Sequence, residues 1–151
     1  MKKGLKTLLF LTMVLGLAPV AFSQTLTLKE KQAIAGLDFS WSEKRILENY
    51  GSSVKIELDQ PSVSGDMDAI LFADSRGAQV AANAIAKVCG NALGKEALQG
   101  KKITKVIIKN IREGKYKVEI KGGIMTLFSG LSSSDNYYGD SELQEAIENM
   151  L

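Results

Sequence analysis

Several short patterns in the chain match spacings that carry chemistry in other proteins, and each must also meet a positional requirement. Ser52-Ser53-Val54-Lys55 fits S-x-x-K and Ser134-Asp135-Asn136 is a literal S-D-N, two of the three elements of an acyl-serine signature. The third, K-T-G, is absent, and its nearest counterpart, Lys121-Gly122-Gly123, precedes the S-D-N instead of following it. The chemistry needs the serine at a helix start, so that a lysine one turn on can reach its hydroxyl. This tetrad runs into an alternating, strand-like segment, and the acyl-serine reading is set aside. With no His in the chain, His-dependent general base catalysis is excluded as well.

Acid-rich turns raise a metal question. Asp66-Met67-Asp68 and the set Asp135, Asn136, Asp140 and Glu142 offer hard oxygen ligands of the kind calcium takes. Neither fits the calcium-loop pattern D-x-[DN]-x-[DN]-G. Helix capping accounts for Asp66, Asp68 and Asp140, and turn chemistry for Asp135 and Asn136. Paired carboxylates could also run glycoside hydrolysis, but with 17 acids the sequence selects no pair. The expectation is no metal and no cofactor.

The most informative pattern is an asymmetry of charge. Residues 101–121 hold eight basic residues against Glu113 and Glu119, a net +6, whereas residues 122–151 hold five acids and no base. Lys115, Lys117 and Lys121 alternate with Tyr116, Val118 and Ile120, so they share one strand face, which Lys105 and Lys109 are expected to join. A basic sheet face of this kind fits an anionic partner; lysines that merely keep an exposed sheet wet are the alternative. The lysine-bearing face itself carries no interleaved aromatics to stack bases, since Tyr116 falls on the other face of the strand, so nucleic acid is not expected. Tyr137 and Tyr138, in a Ser-rich loop over 131–139, are candidate contacts or a lid folded back over the core.

The formal charge of the whole chain, +2, includes Lys2, Lys3 and Lys6. Three lysines, an almost wholly apolar run over 7–20 and small residues at Ala21 and Ser23 make residues 1–23 a secretory signal peptide, with cleavage expected after Ser23. The apolar run is shorter than the roughly 20 residues a spanning helix needs. Without the leader, 16 basic residues face 17 acidic, net −1, which excludes a globally basic protein. The expected product is a single exported domain over 24–151, periplasmic or extracellular. Its one thiol, Cys89, shares a helical stripe with Ala78, Ala82 and Ile85, which predicts burial.

The elements that must position these residues follow from periodicity. Thr27-Leu28-Lys29-Glu30 and Ser40-Trp41-Ser42-Glu43 have capping-box spacing and open two short helices that stop near Gly36 and Gly51. Val54, Ile56 and Leu58 alternate with charged residues as a half-buried strand. Gln60 to Gly65 reads as a turn, after which a long Ala-rich helix starts at Asp66 or Asp68. Segments 103–111, 115–121 and 123–129 read as three strands joined by Arg112-Glu113-Gly114 and Gly122-Gly123, and a last helix starts at Asp140 or Ser141. The predicted fold is an α+β two-layer sandwich: one strand, a long helix and a three-strand meander in a mainly antiparallel sheet, with helices on one face. The function this implies is a binding or interaction module using the basic face, with an anionic envelope component or protein as partner. A small carboxylate-dependent hydrolase and a structural or assembly protein of the cell envelope are the alternatives.

Overall fold

The structure is a computed structural model that describes residues 25–151; the expected signal peptide, residues 1–23, lies outside them. Helices α1 (Leu28–Ala35) and α2 (Ser40–Tyr50) lead into β1 (Lys55–Leu58). Then come α3 (Gln60–Val63), α4 (Met67–Ala73), a π-helical turn over Asp74–Ala78, α5 (Gln79–Val88) and α6 (Ala92–Gly100). Strands β2 (Lys105–Asn110), β3 (Lys117–Lys121) and β4 (Ile124–Ser129) follow, and α7 (Asp140–Glu148) closes the chain. No described helix is long and apolar enough to cross a membrane.

The molecule is mixed α/β with one four-stranded mixed sheet in the order β1-β2-β4-β3. This corrects the meander. The hairpin of β3 and β4 forms as expected on Gly122-Gly123, both at positive φ, which a tight hairpin turn demands. Arg112-Glu113-Gly114 does not join a second hairpin. Instead β2 lies parallel to β1 on one side and to β4 on the other. Composition suits this order without dictating it: β2 carries the unbroken run Val106-Ile107-Ile108, at home in the middle of a sheet, whereas β3 alternates lysine and glutamate with apolar residues, which protects an edge.

Local chemistry fixes the helix ends. The Thr27 hydroxyl accepts from Glu30 N at 3.2 Å, and the Glu30 carboxylate accepts from Thr27 N at 2.6 Å. The second oxygen of Glu30 takes Gly65 N at 2.7 Å, tying α1 to the start of α4. The Thr27 bonds, outweighing the effect of burial, hold this carboxyl below the usual glutamate range. The second expected box is not formed: Ser40 is already helical, and Asp38 Oδ1 receives Ser40 N in its place. Glu43 is thereby free to reach β1, accepting from Ile56 N at 3.0 Å.

The long helix is present from Met67 to Val88 but is not uniform. Within it Gln79 N bonds Asp74 O, five residues back, and the Gln79 amide donates to the Asp74 carboxylate at 2.7 Å, a second tie across the same wide turn. The segment Gln60 to Val63, expected as a turn, is a helical turn with Pro61 in its first positions. Burial alternates along every strand. Ile56, Val106, Ile108, Met125 and Leu127 are buried, and they join Ile46, Ile70, Ile85, Leu98, Leu143 and Ile147 of the helices in one core. Each such side chain contributes roughly 1.5–3 kcal/mol on burial.

Gly77, in the π-helical turn, lies directly on β2: a Cβ there would stand 2.6 Å from Ile108 Cγ2. Gly77→Ala is therefore expected to destabilise the fold by about 1–3 kcal/mol through overpacking against Ile108. The urea midpoint of the variant checks this; an unchanged midpoint would refute the close approach.

Candidate functional site

The strand residues that do not enter the core make up an open face. The pairing register sets them in three cross-strand rows. Lys55, Lys105, Ile124 and Lys121 form the first, Glu57, Ile107, Thr126 and Glu119 the second, and Lys109, Phe128 and Lys117 the third. The face thus carries five lysines and two glutamates, with an apolar strip of Ile107, Ile124 and Phe128 across its centre.

Ion pairs neutralise part of this charge. Lys105 Nζ lies 3.0 Å from Glu57, Lys117 Nζ 2.7 Å from Glu119, and Lys55 Nζ 3.1 Å from Glu43. Exposed pairs of this kind contribute at most about 1 kcal/mol each, so they shape the surface without stabilising it much. Among the described residues no carboxylate pairs with Lys109 or Lys121. The ring of Phe128 lies under two ammonium groups, Lys117 at 4.6 Å and Lys109 at 5.7 Å from its centroid, within reach of cation–π attraction.

Of the residues singled out in the sequence, Lys105, Lys109, Lys117 and Lys121 are brought together on this face. Lys115 is not among them: it precedes β3, and its ammonium stands 5.3 Å over the ring of Tyr116. Tyr137 and Tyr138 belong to the helix side of the molecule. Tyr138 packs against the core and meets Tyr116 edge to face at 4.5 Å, the arrangement expected of a lid. Burial first, then Tyr116 and Glu142, pushes its hydroxyl above the usual tyrosine range. Tyr137 stacks 4.8 Å from the guanidinium of Arg76, whose other side meets Phe72 at 4.0 Å. Sequence reasoning missed Lys55, Glu57 and Phe128 as members of the face. The alternation of β1 was a usable signal for the first two; Phe128 follows Leu127, and a run apolar on both faces hides which residue turns outward.

Four of the five acids weighed as metal ligands hold structural bonds, and the fifth, Asp68, lies in the first turn of α4. Asp66 caps α4 through Ala69 N at 2.9 Å, and its other oxygen receives the Ser132 hydroxyl at 2.8 Å and the Asn110 amide at 3.3 Å. Asp135 receives the Ser133 hydroxyl, Asp140 the Asn83 amide and Glu142 the Gly139 N–H. Asn110, buried at the end of β2, also donates to Ser62 Oγ and O and accepts from Leu131 N. Arg76 donates to the carbonyls of Leu131 and Ser133, fixing the Ser-rich loop. The two acyl-serine fragments lie far apart: Lys55 starts β1, whereas Ser134 follows the far end of β4, and the parallel register sets these at opposite ends of the sheet.

Compared with known proteins, the chain matches no family model, no curated protein and no solved structure.

Cys89 is half-buried against the core, and burial raises its thiol above the ordinary range, with Lys95 opposing. A folded-state pKa above the unfolded one means less thiolate, the reactive form, in the native protein through the neutral and mildly alkaline range. Iodoacetamide at pH 8 should therefore label native Cys89 at least about tenfold more slowly than the urea-unfolded chain. Equal rates would contradict the burial.

Proposed function

We propose that the protein is an exported, non-enzymatic binding module whose open sheet face contacts an anionic partner. The observation that carries this reading is the register of the sheet, which gathers lysines from three strands, β1, β2 and β3, onto one uncovered surface with net charge +3. In this reading the molecule is a two-layer sandwich: the helices occupy one side, and the other is left for recognition. The unpaired ammonium groups of Lys109 and Lys121 supply attraction that is long-ranged at low salt and screened beyond about 10 Å at 0.1 M. An anionic envelope component or an acidic protein fits this charge, and nucleic acid is disfavoured because only one aromatic ring stands on the face.

The hydrolase reading gains nothing from Asp66, Asp135, Asp140 and Glu142, which are engaged in capping and in tying loops and helices together. Catalysis needs a carboxylate held for substrate, and Asp66, Asp140 and Glu142 are held by backbone and side-chain donors of the fold itself.

Retention on immobilised heparin, a sulfated polymer, tests the basic face. The double substitution Lys109→Glu and Lys121→Glu reverses two charges that make no ion pair, so the fold should be undisturbed. It is expected to lower the salt concentration at elution by at least twofold, while Lys29→Glu with Lys31→Glu on α1 leaves elution nearly unchanged. Equal losses from the two pairs would show that net charge, and not this face, governs binding.

A further inference from the structure

The middle of the open face bears on what kind of anion it meets. Lysines stand in the first and third rows, and these rows are four residues apart along the strands, about 13 Å. Between and among them lie Ile107, Ile124 and Phe128, with Ile124 37% exposed. A hydrophilic polyanion would gain from the lysines alone and leave this strip facing water or sugar. A rigid acidic protein would need carboxylates in register with both lysine rows, and it would meet Glu57 and Glu119 at the two sides of the middle row. A lipid surface has neither difficulty: its headgroups move laterally to each ammonium, and its acyl boundary accepts the apolar centre.

The two lysines over Phe128 suit the same surface. Lys109 and Lys117 lay their ammonium groups on the ring in water, and both carry four-carbon stems that can lift the charge to headgroup level while the ring enters the boundary. Aromatic and apolar residues beneath a rim of lysine are the composition of interfacial anchors.

We infer that the open face docks on an anionic lipid surface, with Phe128 and Ile124 at the acyl boundary and Lys55, Lys105, Lys109, Lys117 and Lys121 at the headgroups. This rests on the basic-face reading above and narrows its partner to one class. Docking is reversible and weak, because Glu57 and Glu119 offset part of the charge and only a few apolar side chains are available.

Co-sedimentation of the full chain with vesicles tests it, comparing pure phosphatidylcholine with phosphatidylcholine containing 30% phosphatidylglycerol. Residues 1–23, with their apolar run and three lysines, are common to every variant and set the baseline on both kinds of vesicle. The expected result is at least tenfold tighter binding to the anionic vesicles, lost on Lys109→Glu with Lys121→Glu. Phe128→Ala should weaken vesicle binding severalfold and leave heparin retention unchanged. Should Phe128→Ala disturb the fold by circular dichroism, Ile124→Ser at the rim of the strip takes its place with the same expectation. No preference for anionic vesicles together with intact heparin retention would overturn the lipid assignment and leave the basic face standing. Loss of both would remove both. Equal effects of the apolar substitutions on vesicles and heparin would also overturn the lipid assignment.

Discussion

The placement of β2 decides most of what this molecule can present. It is hydrogen-bonded on both sides, parallel to β1 and to β4, so the chain must cross over between β1 and β2, and α3 to α6 lie in that crossover. Its inward residues, Val106 and Ile108, are fully buried, and Gly77 of the π-helical turn lets the crossover helix settle on Ile108. Once Val106 and Ile108 are committed to the core, the period of two leaves Lys105, Ile107 and Lys109 no choice but the other face. Strand β4 is held in register beside it, and so Phe128 comes to lie between Lys109 of one neighbour and Lys117 of the other.

A second constraint acts at the far end of the parallel strands. Asn110 ends β2 inside the protein, and its backbone and side chain bind Ser62, Asp66 and Leu131 together. A buried amide of this kind is stabilising only when fully partnered, and this one is. Arg76 completes the arrangement from the π-helical turn, stacking between Phe72 and Tyr137 while donating to two loop carbonyls. The polar residues that looked most chemical in the sequence, the Ser-rich loop and its acids, are thereby consumed in holding that loop to the helices. On the open sheet face, by contrast, Lys109 and Lys121 have no carboxylate paired with them among the described residues.

Periodicity was a sound guide wherever a residue's role is set by its own neighbours in the chain. The Thr27–Glu30 box, the Gly122-Gly123 hairpin and the helix from Asp140 were all legible, since each depends on contacts within four residues. Strand order was not, because pairing joins residues far apart: nothing near Lys105 announces that it will face Ile124 and not Lys121. The Ser40–Glu43 spacing misled for a similar reason, as Glu43 is drawn to Ile56 N across the gap to β1. The grouping of Lys105, Lys109, Lys117 and Lys121 was readable from alternation, but Lys115 lies two residues before the strand and Lys55 arrives from a distant segment. Tyr137 and Tyr138 could be read as aromatic loop residues, not as the stacking partners of Arg76 and Tyr116.

The central claim is that one face of the sheet, and no other surface, meets the partner. Lysine acetylation by a water-soluble reagent, read residue by residue by mass spectrometry with and without bound polyanion or anionic vesicles, addresses it most directly. The account predicts protection of Lys105, Lys109, Lys117, Lys121 and Lys55, with Lys29, Lys31, Lys44, Lys87 and Lys95 modified at unchanged rates. Protection spread evenly over both groups, or confined to the second, would contradict it.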